Sequence, residues 1–133
     1  MEHISIYLAG NIQKDHENKS QIYWTEEDRD FLRNELAPKN ISFLNPALRT
    51  DDLSDQLSVF GRDMTQVYCS DLVFVDARER RGLGVGAEMM WAKMNRIPLL
   101  ISRAYKQPLS QTGSEVIRRA CRKLGTSLCR IPE

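Results

Sequence analysis

Apolar and polar positions along this chain fall into blocks of changing period. Ile4-Ser5-Ile6-Tyr7-Leu8-Ala9 is a short, mostly apolar run closed by Gly10, and it predicts a first strand. A polar loop follows to about Gln21. Thr25, with Asp28 three residues on, resembles a capping box in which Asp replaces the usual Glu or Gln. It predicts a helix running to about Leu36, ahead of Pro38. Ile41-Ser42-Phe43-Leu44 is a second short strand, ended by Asn45-Pro46. Leu53, Leu57, Phe60, Met64 and Val67 then recur at helical spacing and give the next helix one apolar face. Residues 71–76 form the third strand, whose unbroken apolar centre suits a sheet covered on both faces. A helix is expected from near Val85 to about Asn95, a fourth strand over residues 98–101, a helix over 111–124 and a short fifth strand over 126–131.

Strands alternating with helices predict a single α/β domain with a mainly parallel sheet of about five strands, joined by right-handed crossovers and flanked by helices. A chain of 133 residues suits one domain with one core. In such folds ligands bind beyond the carboxyl ends of the strands. Three segments are expected to meet there: Ala9-Gly10-Asn11, Asn45-Pro46 and residues 76–88.

Composition narrows the function classes. A net charge of +1 gives no electrostatic case for a nucleic-acid polymer or an anionic membrane. No apolar run reaches the length of a bilayer span. Met1-Glu2-His3-Ile4 lacks the basic and apolar regions of a signal peptide, so a cytoplasmic location is expected. Cys69, Cys121 and Cys129 have no metal-ligand spacing and read as reduced and mostly structural. The two histidines, His3 and His16, both lie near the N-terminus, so no histidine-rich metal site is expected, and no cofactor.

The segment with the most chemistry is Gly82-Leu83-Gly84-Val85-Gly86-Ala87-Glu88-Met89, directly after the third strand. A glycine-rich turn there lets a ligand approach the backbone. Glu88 is expected in the first turn of the following helix, where the dipole favours the ionised carboxylate. At the carboxyl end of a sheet strand it is a candidate nucleophile, against the ordinary role of complementing the dipole. The dinucleotide fingerprint is excluded: the glycines follow the third strand, and from Gly84 the spacing is G-x-G-x-E. Asp63 lies beside the apolar stripe, between Phe60 and Val67, either as a partly buried acid or as a solvated flank charge beside Arg62. Tyr7 reads as core or catalytic, and Asp76 as a ligand for a base or sugar hydroxyl or as a turn cap. Arg78, Arg80 and Arg81 suit a phosphate or an exposed loop. Trp24 and Trp91 suit stacking on a base, with core or interface packing as the alternative for Trp91.

Together, Ile6-Tyr7-Leu8-Ala9-Gly10, Asp63, Ser70-Asp71 and Gly82 to Glu88, in this order and spacing, resemble the nucleoside 2-deoxyribosyltransferase family. The likeness is nearest to its branch of 2'-deoxynucleoside 5'-monophosphate N-glycosidases, with their similar L-G-V-G-x-E-L segment. It runs from Ile4 to about Ala120. The resemblance implies a single-domain Rossmann-like (flavodoxin-like) sandwich acting on the N-glycosidic bond of a small nucleoside or nucleotide. It implies Glu88 as nucleophile, Asp63 as the acid assisting the leaving base, and Tyr7 as the residue that positions nucleophile or sugar. Gly10, Asn11, Asn45, Asp76, Gly82, Gly84 and Gly86 would then line the substrate, and Ser114 would reach a phosphate. A homodimer or higher homo-oligomer is implied as well. The chain departs from that branch in two places: the loop Asn11-Ile12-Gln13-Lys14-Asp15-His16 is longer and partly acidic, and Gly82 stands where the branch has a serine. A free nucleoside and a 5'-monophosphate both stay open as substrates. Two other readings remain: a non-catalytic nucleotide-binding or sensing module on the same scaffold, and cleavage of a dinucleotide such as NAD by the same glutamate chemistry.

Overall fold

The computed structural model describes residues 3–10, 24–48, 54–77 and 82–102. Within them the chain runs through strand β1 (His3–Ala9), helix α1 (Glu26–Leu36), strand β2 (Asn40–Leu44), a 3-10 turn (Pro46–Leu48), helix α2 (Gln56–Tyr68), strand β3 (Leu72–Asp76), helix α3 (Leu83–Met94) and strand β4 (Leu99–Ser102). The four strands form one sheet in the order β2-β1-β3-β4, and every neighbouring pair is parallel. This is the expected Rossmann-like α/β architecture. The expected fifth strand, and the helix before it, lie outside the described residues.

Strand β1 is central, so the connection to β2 runs one way across the sheet, and those to β3 and β4 run the other way. Crossovers of a single hand therefore place α1 on one face and α2 with α3 on the other. Two apolar clusters mark these faces. Ile4, Ile6, Leu8, Leu72 and Phe74 pack with Trp24 and with Leu32 and Leu36 of α1. Tyr7, Ala9, Val73 and Val75 pack with Val67 of α2 and with Val85 and Ala92 of α3. The period-two alternation along β1 and β3 sorts successive residues between the clusters, and all five residues of β3 are buried.

Local chemistry explains the helix ends. Thr25 caps α1 by accepting from the Asp28 backbone N–H at 3.2 Å, while Asp28 accepts from the Thr25 N–H at 3.3 Å, so both halves of the capping box form. The helix stops at Leu36 because Ala37 precedes Pro38 and is held extended at ψ 143°. Helix α3 ends in a Schellman motif: Ile97 N–H reaches Ala92 C=O at 2.9 Å and Arg96 N–H reaches Lys93 C=O at 3.2 Å. Arg96 takes the left-handed position, φ 59°, where glycine is usual.

Two expectations are corrected. Helix α3 starts at Leu83 rather than near Val85, with Gly82 as its N-cap. Glu88 therefore sits in the second turn, where the dipole has largely faded, and Gly84 and Gly86 are helical residues rather than a loop. The apolar stripe of α2 does not all face the core. Val67 is buried and Met64 partly so, but Phe60 and Leu57 are exposed.

Candidate active site

The carboxyl ends of β1 and β3 are neighbours in the sheet, with Ala9 opposite Val75. Tyr7 points from β1 toward the α2 and α3 face, and Glu88 descends on it from α3. The Tyr7 hydroxyl donates to Glu88 Oε1 at 2.7 Å. Both residues are enclosed: Tyr7 is 0% exposed and Glu88 7%, and the Oε2 atom of Glu88 is also shielded from solvent. Burying a carboxylate costs much unless hydrogen bonds offset it, and the Tyr7 hydroxyl supplies one such bond at Oε1. The pair spans 81 positions in sequence, and its contact depends on β1 and β3 being adjacent.

The other residues singled out from sequence divide as follows. Asp63 is half-buried on α2, one turn before the fully buried Val67, and its Oδ1 is shielded. It thus lies on the sheet-facing side of its helix rather than on a solvated flank. Asp76 ends β3 and is 2% exposed. Alternation puts it with Leu72 and Phe74 on the α1 face, so it shares the sheet edge with Tyr7 but not the same side. Gly10 is half-buried directly after β1, and Gly82 caps α3. Gly84 and Gly86 are exposed, and a Cβ on either would meet nothing within 4 Å. Asn45 is occupied structurally: its Oδ1 accepts from Ala47 N–H at 3.0 Å and opens the 3-10 turn after β2. Its Nδ2 is buried without a partner among the described residues. Asn11, Ser114, Arg78, Arg80 and Arg81 lie outside the described residues.

Two tryptophans have structural duties. Trp24 is buried edge-on against Phe74, with ring centroids 4.8 Å apart, and its indole N–H donates to Ala9 C=O at 3.0 Å. This core placement replaces the expectation of base stacking. Its backbone is left-handed, φ 61°, which is strained for so bulky a residue. The ring contacts that hold it also pin the carboxyl end of β1, two residues past Tyr7. Trp91 donates from its indole N–H to Met64 C=O at 3.0 Å and so ties α3 to α2.

Sequence reasoning missed the duty of Asp71. Its Oδ2 accepts from Ser5 N–H at 2.8 Å and its own N–H donates to Ser5 C=O at 2.8 Å. These bonds fasten the entry of β3 to β1 and set the register that brings Tyr7 beneath Glu88. Among the described residues no group of three or more His, Cys, Asp or Glu side chains is placed to hold a metal ion, and no helix is long and apolar enough to cross a membrane. No protein-family model matches this chain, and no curated protein matches it.

Proposed function

We propose that this chain cleaves or transfers at the N-glycosidic bond of a (deoxy)nucleoside or nucleoside 5'-monophosphate, with Glu88 as nucleophile, Asp63 as acid and Tyr7 as the residue that orients the nucleophile. The observation that supports this reading most is the buried hydrogen bond from the Tyr7 hydroxyl to Glu88 Oε1. An enclosed carboxylate, aimed by a phenol near the carboxyl edge of a parallel sheet, suits a reaction that builds positive charge on a sugar.

In the first half-reaction a Glu88 oxygen bonds to the anomeric carbon as the bond to the base nitrogen breaks. The base leaves with that electron pair and takes a proton from the Asp63 carboxyl, directly or through the site. In the second half-reaction water, or the nitrogen of a second base, attacks the glycosyl ester. Its proton returns to Asp63, and Glu88 is regenerated as carboxylate. The two-step logic is that of retaining glycosidases, with the acid becoming a base between steps. Tyr7 fixes the rotamer of Glu88, so the nucleophile needs little reorganisation before attack.

Chromatography of free base released from a panel of ribo- and deoxyribonucleosides and their 5'-monophosphates, with and without a second base, tests the reading. Release from one substrate class, reduced at least a hundredfold in Glu88→Ala, is the expected result. A new nucleoside in the acceptor tubes identifies a transferase. No release from any member of the panel, or release unchanged in Glu88→Ala, overturns the proposal and leaves the binding-module and NAD readings to be tested in its place.

A further inference from the structure

Two shielded N–H groups on the α1 side of the sheet lack an acceptor among the described residues: Nε of Arg29 and Nδ2 of Asn45. A buried donor without an acceptor costs the full desolvation of that group, so native structures keep few of them. The rest of each side chain is engaged. Arg29 Nη2 donates to Glu26, and Asn45 Oδ1 accepts from Ala47 N–H at 3.0 Å. Each therefore lacks the same thing, an acceptor oxygen.

The fold carries the two donors to one place. Arg33 lies over the Phe43 ring, 5.1 Å from its centroid, and so fixes how α1 crosses β2. Arg29 is one helical turn before Arg33 on the same stripe, a step of about 6 Å. Asn45 is two residues past Phe43, a step of about 6.6 Å. Alternation puts it on the side of Ile41 and Phe43, which pack against the α1 cluster. The helix of a parallel crossover runs against the strands it joins, so both steps lead toward the carboxyl edge of the sheet. They bring the Arg29 guanidinium over the end of β2, beside the Asn45 amide. Leu44, just before Asn45, is opposite Tyr7 in the sheet, but Tyr7 packs on the other face. The Arg29 side chain stays 15% exposed beside the exposed Glu26, so the route in from solvent runs along that pair.

Charge narrows the occupant. Arg29 and Arg33 already pair with Glu26 and Asp30, and Asp28 lies beside them in the cap. This end of α1 has no positive surplus with which to hold a dianion such as phosphate. A guanidinium N–H remains a charge-assisted donor, and two N–H groups side by side match the two oxygens of a carboxylate. We infer that Arg29 and Asn45 form a binding site for the carboxylate of a small monoanion, one oxygen accepting from Arg29 Nε and the other from Asn45 Nδ2. The bound carboxylate ties the start of α1 to the end of β2. The inference is independent of the proposed chemistry, which uses the opposite face.

Both N–H groups give signals in proton–nitrogen correlation spectra of the full chain. Titration with sodium acetate near neutral pH, against sodium chloride at the same ionic strength, therefore reads the site directly. The Arg29 Nε–H and Asn45 Nδ2–H signals are expected to move together to one saturating dissociation constant, with no such movement in chloride. Arg29→Lys keeps the charge and removes Nε, and is expected to weaken acetate binding, followed at Asn45, at least tenfold. Asn45→Asp keeps the oxygen that accepts from Ala47 N–H and puts a second oxygen in place of Nδ2. The chain then supplies the carboxylate itself, so this variant is expected to melt a few degrees higher and to lose the response to acetate. Signals that stay still in acetate, or that move with different dissociation constants, overturn the inference. So does a larger response to inorganic phosphate than to acetate at the same ionic strength, or an Asn45→Asp chain that melts no higher than wild type.

Discussion

The two faces of the sheet are built on different plans. On the α1 face the interior is apolar and the two buried carboxyls sit at its margins, Asp28 in the capping box and Asp76 at the end of β3. Arg29 pairs with Glu26, and Arg33 pairs with Glu26 and Asp30 at 3.1 and 2.6 Å, with both carboxylates exposed. Trp24, Leu32 and Leu36 fill the inside, and none of the large exposed apolar side chains among the described residues is on α1. The α2 and α3 face differs: its buried carboxylate is bonded to a buried tyrosine, and leucine, phenylalanine and methionine are turned outward. Both faces rest on the same strands, so sheet geometry does not cause the difference. Surface ion pairs like those of α1 contribute little to stability, but they cost nothing to keep wet. A buried carboxylate and exposed apolar helices do cost stability, and such local violations are expected where a protein keeps a site or a contact.

That contrast is open to attack by mutation, and the largest effect is expected on the scaffold face. Trp24→Ala removes the ring against Phe74 and the bond to Ala9 C=O, and should destabilise the chain by about 3–5 kcal/mol, read as a lowered midpoint in urea. A loss below about 1 kcal/mol would mean that the α1 face is not the stability-bearing one.

Next in size is the chemical face. Glu88→Gln preserves side-chain volume, and its amide oxygen still accepts from Tyr7. It is expected to reduce turnover about a hundredfold or more, equivalent to about 2.7 kcal/mol of barrier, with little change in melting temperature. Tyr7→Phe removes the hydroxyl and leaves Oε1 without that donor. Its expected cost is about 1–3 kcal/mol, seen as a roughly tenfold drop in kcat with a smaller change in KM. A loss confined to KM would assign Tyr7 to substrate binding instead of orientation of Glu88.

How much of this was legible beforehand follows from the range over which each signal acts. The capping box of Thr25 and Asp28, the stop before Pro38 and the apolar run of β3 are local, and each element formed where its residues predicted. Glu88, Asp63 and Tyr7 stood out by type and spacing. The reasons for their placement are non-local: Tyr7 meets Glu88, and Ser5 meets Asp71, only after β1 and β3 pair. The start of α3 was misplaced because glycines read as a turn, whereas Gly84 and Gly86 are helical. Helical spacing located α2 correctly but could not tell a stripe that faces the sheet from one that faces outward, since both have the same period. Val67 is the residue of α2 that packs in the core, and Leu57 and Phe60 are left exposed.

The two faces also differ in how their helices are capped, and this gives the smaller effects. Thr25→Ala removes an uncharged cap from α1 and should cost about 1 kcal/mol. Because a hydroxyl does not titrate in this range, that removes a cap whose own charge never changes with pH. Helix α2 is capped instead by Asp55. Its carboxylate accepts from the Ser58 hydroxyl at 2.5 Å and from Ser58 and Leu57 N–H at 3.3 and 3.0 Å. The Ser58 hydroxyl leads the causes that hold the Asp55 carboxyl below its ordinary 3.8, followed by the Ser58 N–H, with Leu57 N–H and the charge of Arg62 adding less. A carboxyl depressed in the folded state stabilises fully above its unfolded value, and that contribution disappears as pH falls through the lowered one. Asp55→Ala should therefore lower the melting temperature slightly at neutral pH, and the gap to wild type should close as the pH falls below 3.8. Because Asp55 is fully exposed, added salt should also narrow the gap. Thermal melts of wild type and Asp55→Ala across the acid range decide the matter. A gap that persists at the lowest pH would show that Asp55 holds α2 through its shape and local hydrogen bonding rather than through its charge.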